Sequence, residues 1–440
     1  MRKSLNHLIL VLISFLSVVK CADLKVQLSN FPPSLSPQVY VSIFFIPLFV
    51  FISLSFKPVT SKFRIYILYL IIIIQILIPL LYHGIYPAPF NFQISVFAIL
   101  FVFKMLMWMK KNQYLVDGPS FISSLFNWRP HALTIPDKNN YQVYIESITH
   151  KELNLYIIKR TILMFGKFLF FDFLIEFLLD NEPEIPEKLY ILRIFDYFVT
   201  GHQIIPLYNF FYCNIYLLLT YFSFSFGWDV QIILFGIILN FLLFIKNNGK
   251  QREENKSYIT HIKEWLILTI FYTKPLIDKP YLSTSPRDFW SNRWHSIYRE
   301  CFRELFYLPV RNFFKFNRTF GFILGILSVY LISGILHDYI DFVSFDYSKG
   351  YSIGDPTLFF LFHGLFLILW ELFESKILGR GRNVKDNLAI KMFKILIFLS
   401  VLSLTAPWYA EPLIRVRYIE ANNTKRVFSK LIEKYANWKM

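Results

Sequence analysis

The chain has 440 residues, 55% of them hydrophobic and 20% aromatic, with a formal net charge of +16. Its apolar residues lie in long uninterrupted blocks with the charges gathered between them, a pattern of membrane spans that excludes one large soluble core. That clustering assigns the basic excess to span flanks and anionic lipid rather than to nucleic acid, and three cysteines, Cys21, Cys213 and Cys301, exclude a disulfide framework and a cysteine-rich metal site.

The N-terminal segment has a basic start and an apolar stretch from Leu8 to Val19. Residues 1–21 read either as a signal peptide or as an uncleaved signal anchor, with Lys20 weighing against cleavage. Hydrophobic blocks follow at 39–56, 65–82, 93–109, 161–179, 207–225, 230–245, 319–340, 357–373 and 392–409. The fold class is therefore all-α, a polytopic transmembrane helical bundle of about eight to ten hydrophobic segments.

Flanking charge sets orientation. Lys57, Lys62 and Arg64 mark a cytosolic loop, HGIYPAPFNF has no Lys or Arg and is lumenal, and Lys110 and Lys111 return the chain to the cytosol. An N-terminal transmembrane region thus covers 39–245, with a cytosolic loop at 110–160. The basic loop KNNGKQREENK is also cytosolic by charge, which simple alternation from Lys110 contradicts. One block must then fail to span, and 161–179 is the expected one, because Lys167, Asp172 and Glu176 suit a re-entrant or interfacial segment. Residues 375–440 hold a last cytosolic loop, a final span and a basic tail; the span leads the tail into the lumen although its Lys and Arg oppose that.

The chemistry-bearing stretch is YLSTSPRDFWSNRWHSIYRECFRELFYLPVR, Tyr281 to Arg311. Ser285 is placed to cap a helix, Pro286 suits its first position, and Asp288 stands where a capping box needs it. A helix continued from there carries Trp290, Trp294, Ile297 and Cys301 on one face and His295, Arg299 and Arg303 on another. An interfacial anchor explains the Trp and Arg residues; it does not explain Asn292 or His295. In the next span His337 follows some eighteen apolar residues, either as a functional group facing the bundle interior or as a satisfied histidine at the lumenal boundary beside Asp338. Ser333 and Gly334, one turn earlier, permit close packing and favour an interior face. His363 lies in the following span and either lines the same cavity or bonds a neighbouring helix. Cys301, six residues from His295, is poorly spaced for a nucleophile and base on one helix.

The stretch PLIDKPYLSTSPRDFWSNRWHSIYRECFRELFYLPV, followed downstream by SGILHD, resembles the wax synthase-like branch of the membrane-bound O-acyltransferase superfamily. Ser285, Asp288, Phe289, Trp290, Arg293, Trp294 and His295 meet every fixed position of that family's S-x-x-D-F-W-x-x-R-W-H pattern. The resemblance covers 273–374, and Trp294-His295 departs from the Trp-Asn of the sterol and diacylglycerol enzymes. It implies transfer of a fatty acyl group from acyl-CoA to the hydroxyl of a long-chain, sterol or terpenoid alcohol, in the endoplasmic reticulum membrane. It implies catalytic roles for His337, as general base, and His295, with substrate contacts from Asp288, Trp290, Asn292, Arg293, Trp294, Arg299, Arg303 and His363. No metal and no cofactor beyond the acyl-CoA co-substrate is implied, and the partners are acyl-CoA, a lipophilic alcohol and membrane lipid. The competing reading is a transporter or channel whose polar path is lined by His337 and His363.

Overall fold

The computed structural model describes residues 35–56, 62–82, 85–112, 148–248, 253–295, 298–345, 354–376 and 387–419, together with Leu125. The N-terminal segment, most of the 110–160 loop, the 377–386 loop and the tail, in which Asn422-Asn423-Thr424 reads as a glycosylation acceptor, lie outside them. Seven of the described helices are long and apolar enough to cross a membrane. The chain is a multi-pass, all-helical membrane protein.

Helices α1 (Pro37–Ser55), α2 (Lys62–Leu81) and α3 (Ala88–Asn112) pack in sequence order. Ser36 caps α1 by accepting from the Val39 amide at 3.4 Å, with Pro37 at the first position. Gln75 of α2 donates to the Phe44 carbonyl at 3.2 Å, a polar tie between α2 and α1.

Helix α4 (His150–Asp180) opens with a capping box, Thr149 Oγ1 accepting from the Glu152 amide at 3.2 Å while Glu152 accepts from the Thr149 amide at 3.0 Å. It pairs with α6 (Leu207–Asn248), a single helix of 42 residues, about 63 Å long at 1.5 Å per residue. The blocks at 207–225 and 230–245 are thus one element. Gly227 and Asp229 make the sequence look interrupted there, but Asp229 is fully buried and holds Arg160 at 2.9 Å and Lys167 at 2.5 Å, both from α4.

The two helices run antiparallel along their whole shared length. His150 meets Asn240 at 2.7 Å at one end, and Tyr212 donates to the Leu178 carbonyl at 2.7 Å at the other. Wherever α6 crosses, α4 accompanies it. Helix α4 is not among the seven apolar helices, and its Arg160 and Lys167 are paired with Asp229; the expected topology changes at α6, where two blocks are one helix. With α6 counted once, a crossing by α4 beside it would let alternation from Lys110 return the basic 246–256 loop to the cytosol without an exception.

Between them, α5 (Tyr190–Thr200) ends at Gly201, whose φ of 73° gives the left-handed cap a side chain would strain. Its Arg193 is buried, and every donor direction is used: Lys188 carbonyl at 3.0 Å, Ile204 carbonyl at 2.7 Å, and the Glu411 carboxylate at 2.5 Å. Helix α7 (Glu253–Phe271) packs on α6 and leads to the chemistry-bearing segment.

Beyond it stand α8 (Arg318–Ser344), α9 (Asp355–Lys376) and α10 (Leu388–Arg415). Asn317 caps α8 by accepting from the Phe320 amide at 3.0 Å. Asp338 accepts from the Gly354 amide at 2.8 Å and from Thr357 Oγ1 at 2.5 Å, so this carboxylate organises the start of α9. A Cβ at Gly334 would lie 2.3 Å from Thr357 Cα, a distance only glycine permits. Tyr339 donates to the Ile76 carbonyl at 3.0 Å, fastening α8 to α2.

A glycosylation acceptor engineered into residues 182–189 is expected to be modified in microsomes, because α4 delivers that connection to the lumen. An unmodified acceptor there, beside a modified control in the 83–87 loop, would show that α4 does not cross.

Candidate active site

The segment from Pro280 to Phe313 is not one helix. It is a 3-10 turn at Pro280–Leu282, an α-turn at Pro286–Asp288, a π-turn at Phe289–Arg293, a break at Trp294 and His295, then Arg299–Phe302, a second π-turn at Arg303–Tyr307, and Leu308–Phe313. The expected continuous amphipathic face does not form, and Ile297 lies outside the described residues. Ser285 caps as expected, accepting from the Asp288 amide at 3.1 Å. The reciprocal bond is displaced: Asp288 accepts from the Thr284 amide at 3.4 Å, one residue before the cap.

Asp288 explains the break. Its carboxylate also accepts from Arg293 Nε at 2.8 Å and Asn292 at 3.3 Å. Arg293 then donates to the carbonyls of Asp278 and Lys279 at 3.3 and 3.2 Å, while the Asp278 amide donates to the Arg293 carbonyl at 2.8 Å. The pair widens one turn and ties it to the preceding loop, so the chain leaves the helix at His295. There φ is 47°, a left-handed conformation uncommon outside glycine. Such strain persists where its surroundings hold it, and it clusters at functional sites.

A cavity of about 1540 Å³ lies beneath this segment. His295 and His337 both line it, as do Trp290, Asn292, Trp294, Arg299 and Arg303. Asp288, Arg293 and His363 are not among its lining residues. The first two instead shape the wall. His363 is fully buried, bonds Thr405 Oγ1 at 3.0 Å, and sets its ring edge-on to Trp290 with centroids 5.4 Å apart. It braces an indole that faces the cavity.

His337 Nδ1 lies 2.7 Å from the Ser333 carbonyl, its own i−4 neighbour. A carbonyl only accepts, so Nδ1 carries the proton and Nε2 is left with its lone pair. The ring rests on Phe360, with centroids 4.4 Å apart, which fixes its plane. His295 lies edge-on to Phe224 of α6 at 4.6 Å. Burial, reinforced by neighbouring His337, pushes the His295 imidazole down to about 3, so it is neutral and keeps one N–H to donate.

One edge of the cavity is basic. Arg299 donates to Asn292 Oδ1 at 3.2 Å, and Arg303 pairs with Glu304. From α3, Lys110 reaches Glu304 at 3.0 Å and Lys111 reaches Glu300 at 3.1 Å, pinning the C-terminal end of α3 to this edge. Cys301 is buried in the core against α3, and burial pushes its thiol up to about 11, which keeps it protonated and poorly nucleophilic.

Several lining residues escaped sequence reasoning. Asp341 and Tyr409 face the same cavity, as do Phe224 and Asn214 from α6. Asp341 stands four residues after His337, a spacing that itself places both on one helix face. Nothing local marks the others, because their neighbours come from distant parts of the chain.

Residues 273–362 match the model of the membrane bound O-acyl transferase family. The segment is similar to that family over about a fifth of the chain. Among curated relatives, the chain is 29% identical over 150 residues to an Arabidopsis thaliana protein named probable long-chain-alcohol O-fatty-acyltransferase 3, covering 33% of this chain and 42% of that one. It is 30% identical over 143 residues to probable long-chain-alcohol O-fatty-acyltransferase 2, covering 32% and 38%. With acyl-CoA–sterol O-acyltransferase 1 of the same plant it shares 27% over 164 residues, covering 37% and 43%. The chain spans less than half the length of each of these relatives. The match coincides with the π-turns, the strained His295 and about the first three-quarters of the α8–α9 hairpin.

Asp288→Ala is expected to destabilise the folded protein by about 2 kcal/mol, the order of a bond to a charged group. Thermal unfolding in detergent reads this. An unchanged melting point with weaker acyl-CoA binding would instead make Asp288 a substrate contact.

Proposed function

We propose that this protein is a membrane-bound O-acyltransferase that moves a fatty acyl group from acyl-CoA to the hydroxyl of a lipophilic alcohol. Long-chain, sterol and terpenoid alcohols are its acceptor class, and the endoplasmic reticulum membrane is its proposed place. The observation that carries the reading is His337: its Nδ1–H is committed to the Ser333 carbonyl, and its ring lines the cavity shared with His295.

The acceptor O–H approaches His337 Nε2, which takes the proton as the oxygen attacks the thioester carbonyl. The hydrogen bond at Nδ1 stabilises the imidazolium that forms and holds the ring in position. Negative charge then develops on the carbonyl oxygen, and the His295 N–H and the Asn292 amide supply donors for it in a water-poor cavity. The tetrahedral intermediate collapses, the C–S bond breaks, and the CoA thiolate leaves, taking the proton from His337. No acyl-enzyme forms, in keeping with the protonated, core-packed Cys301.

Arg299 and Arg303, on the edge continuous with the basic end of α3, meet the CoA phosphates. Asp288 and Arg293 act by shaping the segment, and His363 by bracing Trp290. The transporter reading needs His337 and His363 on one path, and His363 is not among the residues lining the cavity.

His337→Ala should abolish acyl transfer in microsomes while expression and insertion remain. Activity above a tenth of wild type would remove the general-base role, since such a base contributes roughly 10²–10⁴-fold. Arg299→Gln with Arg303→Gln should raise the KM for acyl-CoA more than that for the alcohol. Equal effects on both substrates would return these arginines to an anchoring role.

A further inference from the structure

The wall of the cavity beyond His337 is polar where an aliphatic chain would need it apolar. Asp341 lies one turn further along α8, about 6 Å at 1.5 Å per residue, and is 8% exposed in the cavity wall. Tyr409 of α10 lines the same region, with its ring centroid 6.2 Å from that of His337. Its hydroxyl has no hydrogen-bond partner among the described residues. Tyr216 of α6 completes the group: it lines the cavity, is 2% exposed, and its hydroxyl is buried without a partner. Asp341 is an electrostatic neighbour of both tyrosines.

The Tyr216 hydroxyl, buried without a partner, is costly to place in an apolar bundle unless something bonds to it, and the Tyr409 hydroxyl and the Asp341 carboxylate stand on the same cavity wall from two other helices. We infer that these three residues form a second polar subsite that binds a further hydroxyl on the acceptor, one helical turn from the hydroxyl that is acylated. This deepens the transferase reading and rests on it for the identity of the reacting hydroxyl; the subsite itself rests on Tyr216, Tyr409 and Asp341.

A hydroxyl suits the group because it donates to the carboxylate and accepts from a phenol at the same time. A plain alkyl chain offers neither, and would press methylenes against the partnerless Tyr216 hydroxyl. Sites built to bond a hydroxyl discriminate strongly against the analogue lacking it. The acceptor class is accordingly a lipophilic diol, with its hydroxyls about four carbons apart to match the rise of one turn.

The test uses the full chain in lipid nanodiscs, with 1-hexadecanol and 1,4-hexadecanediol as probes. Binding is read first, as thermal stabilisation of the His337→Ala protein, which needs no turnover. The diol should reach half-maximal stabilisation at a concentration roughly tenfold lower than the mono-alcohol, the scale of one or two hydrogen bonds. Tyr216→Phe with Tyr409→Phe, which removes only two oxygens, should bring the two midpoints together. Asp341→Asn, which keeps the side-chain shape, should narrow the gap in the same direction. Equal midpoints in the parent protein, or a diol preference that survives the double Phe change, would overturn the subsite.

Ester formation from acyl-CoA by the wild-type chain is then measured with both alcohols. Diol-selective binding without ester from either alcohol would leave the subsite standing and remove the transferase reading. Ester from both alcohols, with no preference in binding or rate, would do the reverse.

Discussion

A polar group inside an apolar helical bundle must find a partner within the protein, and that requirement organises this structure. Arg193 is buried because Glu411 and two carbonyls receive its donors, and through it the short α5 is fixed against α10. Asp229 is fully buried because Arg160 and Lys167 converge on it. Breaking one side of such a site leaves a charge uncompensated, which costs several kcal/mol, whereas the intact pair contributes little net stability. Their effect is therefore on arrangement. Each pair selects one register between helices that apolar packing alone would let slide.

The same requirement explains how irregular backbone is tolerated between α7 and α8. Non-helical chain at membrane depth survives where protein surrounds it or a cavity is lined by it. Here the Asp288–Arg293 clamp satisfies the carbonyls of Asp278 and Lys279 and the amide of Thr284, which ties the first π-turn to the loop before it. In exchange for a regular helix, the segment presents Trp290, Asn292, Trp294 and His295 to one space. The opposite wall is set by the α8–α9 contact, where Gly334 lets Thr357 approach and Asp338 ties down the start of α9. With that contact in place, His337 and Phe360 meet ring against ring.

The part of the chain that matches the family and the part that surrounds the cavity are different sets. The match ends at residue 362 and begins at 273. Much of the remaining wall comes from α3, α4, α6 and α10, which include Gln93, Asp172, Asn214, Tyr216 and Tyr409. The proposed reacting groups thus sit on the matched segment, and the cavity is completed by sequence outside it. Of the proposed subsite, Asp341 lies on the matched segment while Tyr216 and Tyr409 lie outside it, which is why the acceptor class has to be argued from the cavity wall.

Hydrophobic block length and flanking charge were enough to establish the multi-pass helical fold, because a span is a local property of about twenty residues. The spacing of Ser285, Trp294, His295 and His337 likewise located the family segment, since those residues occupy fixed positions in the linear pattern. Local patterning misjudged α6 at Gly227 and Asp229, because the buried charge there is paid for by α4 and not by any neighbour in sequence. It took the Tyr281–Arg311 stretch for one helix, because the competing bonds from Asp288 and Arg293 are invisible to periodicity. His337 and His363 looked alike as intramembrane histidines, and only packing put one at the cavity and the other behind Trp290. Asp341 was reachable from its four-residue spacing. Tyr216 and Tyr409 were not, because a cavity wall is made by helices meeting in space and no stretch of the chain records which of its faces will meet.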